Sequence, residues 1–364
     1  MSKEHPQILF VPVSSGKGAG EYIRSLLIAK AIKERWPGSK IRFCLSREAP
    51  YLDSVPFEVF LTERSATFHV REINDFMRQN PPDIVIFDNS GRRSQLKCAK
   101  KLGARTIFLT IGGRLRKRLK AFRLWKMAVV DEHWMVQPSF SFKPLSFREK
   151  LLLKVLNNHQ FRRFDVFFSP PDVDRRNQLE KRLGLAGDPY ILFAPGGGGH
   201  RVDGRYSSEI FAEAASGVAD QTGIRCVLVM GPLYPDDIPI FDGVVSLSSL
   251  PDYELIDLMS NARLVACGGG DIVSQSLALG RVCVAATTGA KDQSARIRTF
   301  SELGLVKMEE ADSGSIRDAV VHLLEDEAGS EMIRQRVLDA NVENGLPRAI
   351  EILESRLAEA KVAE

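Results

Sequence analysis

Two short apolar runs in this chain, Gln7-Ile8-Leu9-Phe10-Val11-Pro12-Val13 and Tyr190-Ile191-Leu192-Phe193-Ala194-Pro195, each lead into a glycine-rich turn and then into a helical stretch. An apolar run without polar alternation reads as a strand buried on both faces, the habit of parallel sheets covered by helices. The first series continues through a helix from about Tyr22 to Arg35, IRFCL, a helix near Phe68–Arg78, DIVIFD, TIFLTI and HWMVQ. The second continues through a helix near Ser208–Thr222, RCVLVMG, GVVSL, a helix near Asp252–Asn261, RLVACGG, a helix near Ser274–Leu279 and VCVAA. An α/β pattern that starts twice predicts two doubly wound domains, with ligands at the carboxyl ends of the strands and in a cleft between domains. The expected bounds are a first domain over 1–170, a linker over 171–186, a second domain over 187–346 and a C-terminal helix over 347–364. That helix carries Ile350, Leu353 and Leu357 at helical spacing and should dock by one face.

Bulk properties narrow the class. A chain of 364 residues with 44% hydrophobic and 26% charged residues suits two ordinary globular cores. Its cysteines (Cys44, Cys98, Cys226, Cys267, Cys283) form no CxxC pair, which argues against a disulfide framework or zinc site and for a reducing cytoplasm. The start, MSKEHPQILF, lacks the layout of a signal peptide, and no run reaches the length of a membrane span, so the expectation is a protein neither exported nor membrane-spanning. Charge is divided unevenly: residues 1–170 hold 31 Lys and Arg against 15 Asp and Glu, and residues 171–364 hold 19 against 31. The first half is therefore expected to meet an anionic partner.

The turn after the first strand reads Ser14-Ser15-Gly16-Lys17-Gly18-Ala19-Gly20-Glu21. Glycines between strand and helix let a ligand approach backbone, and the helix N-terminus offers free N–H groups, although GxGxG is neither a dinucleotide nor a Walker motif. Gly18 and Gly20 are candidate ligand contacts. Glu21 is a candidate base or a carboxylate complementing the helix dipole. Arg24 is either an anion ligand or the partner of a neighbouring acid. Asp88, at the end of DIVIFD, and Asp131 with His133 are the other strand-end candidates, and either aspartate is an alternative base, Asp88 first. The second strand of this kind runs into Gly196-Gly197-Gly198-Gly199-His200, a run whose chain-entropy cost points to close backbone approach, with a diphosphate as the natural ligand. Gly197, Gly198, Gly199 and His200 are candidates there, His200 also being readable as a solvated loop residue.

The stretch Gly20-Glu21-Tyr22-Ile23-Arg24-Ser25-Leu26-Leu27-Ile28-Ala29 resembles the GHxxRSLxIA segment of several GT-B families, including glycosyltransferase family 28 and the UDP-sugar hydrolase of pseudaminic acid synthesis. The histidine of that segment, a base in those families, is Glu21 here. A second segment, from Gly268-Gly269-Gly270 through Ser274-Gln275-Ser276-Leu277-Ala278 to Lys291-Asp292-Gln293, resembles the donor signature of MurG-like and UDP-glycosyltransferase proteins. The resemblance implies that Gly269, Gly270 and Ser274 hold phosphate, Gln275 takes the place of the ribose-binding glutamate, and Asp292 with Gln293 bind the sugar. Arg281 and Cys283 stand where a Gly-x-Pro run is usual. The likeness covers about residues 8–35 and 188–305.

The resemblance implies an α/β GT-B enzyme of two Rossmann-like domains facing a cleft, the first binding an acceptor and the second a nucleotide-sugar. The implied reaction moves a hexose or N-acetylhexosamine from a UDP-sugar to an anionic or lipid-linked acceptor without a metal, as in cell-envelope polysaccharide assembly. The nucleotide-sugar is a co-substrate, and no cofactor is expected. A nucleotide-sugar hydrolase and a catalytically silent nucleotide-sugar-binding subunit are the alternatives. The segment Arg114–Lys126 has seven basic residues and no acid, with Leu115, Leu119, Phe122 and Trp125 at helical spacing. It reads either as an anionic-membrane surface, which would place the protein on the inner face of the plasma membrane, or as a core-packed helix. Nucleic acid is not expected. Asp172-Val173-Asp174 spells a DxD but falls in the expected linker, away from the nucleotide loops, and is not assigned to a metal.

Overall fold

The computed structural model describes residues 5–15, 20–111, 124–141, 144–155, 160–185, 187–288 and 291–360. The chain divides into two compact units, Met1–Phe167 with Gly345–Glu364, and Phe168–Asn344.

The first unit contains β1 (Gln7–Pro12), α1 (Gly20–Arg35), β2 (Lys40–Ser46), β3 (Glu58–Thr62), α2 (Val70–Gln79), β4 (Ile84–Asp88), α3 (Arg93–Lys101), β5 (Arg105–Ile111), α4 (Leu124–Met127), β6 (Glu132–Val136), α5 (Phe147–Val155) and β7 (Gln160–Phe164). The strands form one sheet in the order β3-β2-β1-β4-β5-β6-β7. Every neighbouring pair runs parallel. The unbroken apolar run of β1 follows from this: Ile8 and Phe10 enter one core with Ile28 and Ile32, while Leu9 and Val11 enter the opposite core with Ile73, Met77 and Phe87.

The helix Leu346–Ala360 joins the first unit although it follows the second in the chain. Ala349, Leu353 and Leu357 complete the core beside α1. Buried Glu132 pins it: its carboxylate accepts from Arg356 Nη2 at 2.5 Å, Arg162 Nε at 2.9 Å and Trp134 Nε1 at 3.1 Å. A carboxylate at 1% exposure is tolerable only with such company.

The second unit contains α6 (Val173–Arg182), β8 (Tyr190–Ala194), β9 (Arg201–Val202), β10 (Arg205–Tyr206), α7 (Ser207–Thr222), β11 (Arg225–Val229), β12 (Val244–Leu247), α8 (Asp252–Asn261), β13 (Leu264–Gly268), α9 (Asp271–Ala278), β14 (Cys283–Ala286), α10 (Lys291–Glu302), β15 (Lys307–Glu309), α11 (Ser313–Glu325) and α12 (Glu327–Ala340). Its parallel sheet has the order β12-β11-β8-β13-β14-β15. Ile191 and Phe193 of β8 pack with Phe211, Val218 and Val320 from the helices above them.

Most of the stretch expected to be a linker is α6. The prolines at 170 and 171 stop short of the helix, and the Asp172 side chain caps it by accepting from the Arg175 backbone N–H at 2.9 Å. Arg175 then reaches the buried Asp257 of α8 with both Nε and Nη2, the latter at 3.0 Å, so charge density in this stretch reflects helix docking. The DxD spelling is a helix cap.

Two buried tyrosines, Tyr22 and Tyr190, and the half-buried Tyr51 set an alkaline limit on stability. Burial pushes the Tyr22 phenol from 10.0 up to about 12, and burial also raises Tyr51 and Tyr190. A folded-state pKa above the unfolded one gives stability that is fully present below the unfolded pKa and is lost as pH rises through the folded one. Stability therefore falls between pH 10 and about 12, and Tyr22→Phe removes on the order of 2 kcal/mol of that loss. Urea unfolding at the two ends of the window checks this.

Candidate functional site

In each unit the sheet leaves its first strand in opposite directions on either side, at β1/β4 and at β8/β13. Beside such a switch point, at the carboxyl ends of the strands, open α/β sheets bind ligands. The candidate residues gather at these two places, and each is described within its own unit.

In the first unit, α1 brings Gly20, Glu21 and Arg24 to the switch point, and β4 brings Asp88 and Asn89. Arg24 Nε donates to Asp88 Oδ2 at 2.9 Å and Nη2 to Oδ1 at 2.6 Å, with side chains only 3% and 0% exposed. Arg24 is thus the partner of a neighbouring acid rather than an open anion ligand. Asp88 is shut away from substrate, which removes it from the role of alternative base. Their bidentate pair ties the first helix to the fourth strand across 64 residues of sequence. Asn89 follows in the left-handed conformation, φ 52°, and its Nδ2 donates to Glu21 Oε1 at 2.9 Å. Among the described residues Glu21 Oε2 has no hydrogen-bond partner, so this half-buried carboxylate is held by one oxygen and presents the other. A stacked pair, Tyr22 on Tyr51 at 4.0 Å, walls the neighbourhood. Among the described residues a Cβ built on Gly20 meets nothing within 4 Å. Gly18 lies outside the described residues.

In the second unit four loops meet at the carboxyl ends of β8, β11, β13 and β14. The glycines there separate into two kinds. Gly198, at φ 84°, would drive a Cβ to 2.6 Å from Met230 O, and Gly231, at φ 101°, would drive one to 2.4 Å from Gly196 O. These two turns pack backbone on backbone, with Leu233 N–H donating to Gly197 O at 2.8 Å. Gly268 would meet Pro195 O at 2.2 Å, and Gly269 would meet Ile297 and Gln293 of α10 at 2.6 and 2.9 Å. The fold itself requires these four. Gly270 differs: it caps α9 with φ −75°, and among the described residues no side chain caps that helix and a Cβ there meets nothing within 4 Å. Gly197 and Gly199 are exposed, the first with only Leu233 near its Cβ, at 3.8 Å, and the second with Leu233 at 3.1 Å.

Around the Gly270 turn sit Ser274, 4% exposed, and half-buried Gln275. Thr288 Oγ1 donates to Gln293 Oε1 at 3.2 Å. Arg296 Nη1 donates to Gly269 O at 3.1 Å and lies 3.5 Å from Asp271 Oδ1. A guanidinium beside the positive end of a helix is electrostatically unfavourable unless an anion joins them. Asp271 supplies one negative charge, and the arrangement suits a diphosphate. Asp292 is the second residue of α10, and its side chain lies outside the described residues. His200 is exposed, just before the Asp203-Gly204 hairpin turn formed by β9 and β10.

No family model and no curated sequence matches the chain. Solved structures do. The calicheamicin glycosyltransferase CalG4 matches with TM-score 0.63 at 19% identity, over 98% of this chain and 99% of that one. Phytolacca americana UGT2, complexed with UDP-2fluoro-glucose and pterostilbene, matches with TM-score 0.63 at 13% identity over 98% and 100%. Acinetobacter baumannii MurG matches with TM-score 0.56 at 14% identity over 96% and 100%. The chain has the GT-B fold.

Arg281 and Cys283 sit before and at the amino end of β14, the end away from the glycine turns, where Arg281 Nη1 donates to Ala262 O at 3.4 Å and Cys283 Sγ lies 3.4 Å from Cys267 Sγ. Asp131 accepts from the Thr106 backbone N–H at 2.8 Å, and buried His133 packs against Phe108 and Phe161, so neither is an open strand-end base. Of the basic segment, residues 112–123 lie outside the described residues. Lys126 is only 9% exposed, with Nζ 3.6 Å from the Phe108 ring centroid, and does not face outward.

Arg296 and Asn89 were missed. Arg296 lies three residues after Gln293, one helical turn on the same face, and could have been found from that spacing. Asn89 follows an apolar strand, and asparagine is enriched among non-glycine residues with positive φ. Among the described residues no His, Cys, Asp and Glu cluster could hold a metal, and no helix is long and apolar enough to cross a membrane.

Proposed function

We propose that this protein transfers a sugar, a hexose or N-acetylhexosamine, from a UDP-sugar held by the second unit to an acceptor held by the first. The observation that carries the reading is the Gly270 turn: an uncapped helix N-terminus, a glycine without an internal reason and Arg296 gathered at one switch point. When a diphosphate binds, Arg296 exchanges part of its contact with Asp271 for phosphate oxygens, and the α9 amides receive the charge that develops on the leaving group. That makes a metal unnecessary, and activity should survive a chelator. Ser274 and Gly269 line the phosphate, Gln275 bonds the ribose, Asp292 and Gln293 bond the sugar, and Gly197, Gly199 and His200 border the donor.

In the first unit, Glu21 takes the proton of the acceptor hydroxyl, with Gly20 leaving room for the acceptor to approach. The excess of basic over acidic residues across 1–170 favours an anionic acceptor, lipid-linked at the cytoplasmic face of the membrane. Calorimetric titration with UDP-, GDP-, CDP- and dTDP-sugars tests the donor half. Saturable binding of the UDP class, weakened at least about tenfold in Arg296→Ala at unchanged thermal stability, is the expected result. Absence of binding by every member would overturn the reading.

A further inference from the structure

The helix α5 turns its apolar side the wrong way for a water-facing helix. Its sequence is Phe147-Arg148-Glu149-Lys150-Leu151-Leu152-Leu153-Lys154-Val155. Leu152 and Leu153 pack against the core beneath, and Glu149, 3% exposed, folds back to accept from the Ser146 backbone N–H at 2.7 Å and its hydroxyl at 2.9 Å. These contacts set the helix rotation. At about 100° per residue they leave Phe147, Leu151 and Val155 along one outward line. The three are 82, 48 and 66% exposed.

The residues that flank this line are all cations. Lys150 and Lys154 border it on one side and Arg148 on the other, all three exposed. No acid lies on the exposed arc, and among the described residues none of the three cations forms an ion pair. A surface helix ordinarily places charge outward and its apolar stripe inward. Here an apolar stripe with a basic border points outward, the arrangement of a helix that lies in a bilayer interface with its apolar side chains among acyl chains and its cations among headgroup phosphates.

We infer that the outward face of α5 docks the first unit on an anionic phospholipid surface through Phe147, Leu151 and Val155, with Arg148, Lys150 and Lys154 pairing headgroup phosphates. Charge decides between occupants. A second copy meeting this face about a twofold axis would bring the cations of each helix against those of the other. An anionic bilayer neutralises all of them while covering the apolar line, and the surplus of 31 basic over 15 acidic residues in 1–170 acts in the same direction. Its residues lie outside Arg114–Lys126 in the sequence, and the inference is independent of the donor reading.

Sedimentation of the full chain with vesicles of phosphatidylcholine, and of phosphatidylcholine mixed with phosphatidylglycerol, tests this. The wild-type chain should bind the mixed vesicles on the order of a hundredfold more tightly than the neutral ones, from three cations near an anionic surface. The variant Phe147→Ser/Leu151→Gln/Val155→Ser and the variant Arg148→Glu/Lys150→Glu/Lys154→Glu should each lose at least about tenfold of that affinity. Both change exposed side chains, so melting temperature and UDP-sugar binding are read alongside as measures of folding and of the donor site. Equal binding by wild type and either folded variant would overturn the inference. So would failure of the wild-type chain to bind mixed vesicles, or a dimer that the apolar variant abolishes in the absence of lipid.

Discussion

Gly268→Ala should destabilise the second unit by about 3 kcal/mol, whereas Gly270→Ala, two residues on, should leave stability within about 1 kcal/mol of wild type and weaken nucleotide-sugar binding at least about tenfold. The contrast rests on what a methyl group meets. At Gly268 the nearest atom is Pro195 O at 2.2 Å, a backbone atom at the end of the neighbouring strand β8, so the sheet edge must shift to admit it. At Gly270 the φ of −75° suits any residue and nothing lies within 4 Å. The protein itself has no use for a glycine at 270, and the backbone amides behind it are open at the head of α9. A ligand that approaches those amides does have a use for it. Urea unfolding and calorimetric titration of both variants separate the effects. If Gly270→Ala binds the donor as wild type does, the diphosphate does not sit on this turn.

This distinction shows where reading by sequence stops. Both glycine-rich segments are conspicuous as strings, and the expectation at Gly196–Gly199 was a ligand approaching the backbone. What comes close to Gly198 is the turn at Gly231, more than 30 residues away, and no local pattern announces it. The strand–helix alternation was legible because a parallel sheet buries both faces and leaves unbroken apolar runs; α8, expected over Asp252–Asn261, has those bounds. The C-terminal helix was legible from its apolar spacing, but its partner, α1, was not, because helical periodicity says which face is buried and not against what. The misread linker has a local cause: paired prolines and dense charge resemble a connector, and only the Asp172 cap and the Arg175 pair with Asp257 reveal a docked helix. Asp88 failed as a candidate for a related reason. A carboxylate at a strand end is open or closed according to what the next element brings, and here α1 brings Arg24.

Glu21→Gln should lower turnover by about 10²–10⁴-fold while leaving the melting temperature unchanged, and Asp88→Asn should do the reverse, costing about 3–5 kcal/mol of stability. Both changes remove one negative charge at the same switch point, and both keep the side chain's size. Asp88 is fully buried and pairs with Arg24 through both oxygens, so neutralising it takes this counter-charge from a guanidinium that is 3% exposed. Glu21 is half-buried and, among the described residues, held by the Asn89 amide at 2.9 Å, a bond that a glutamine oxygen still accepts. The substitution therefore removes proton-accepting ability without disturbing packing. Asn89, in its left-handed turn, fixes where that oxygen points, so Asn89→Ala should lower turnover less than Glu21→Gln and leave donor binding intact. A Glu21→Gln chain with wild-type turnover would return this carboxylate to a helix-dipole role and place the base elsewhere. A folded, active Asp88→Asn chain would show that the first unit does not depend on its buried pair. The two measurements together assign one carboxylate at this switch point to chemistry and the other to architecture.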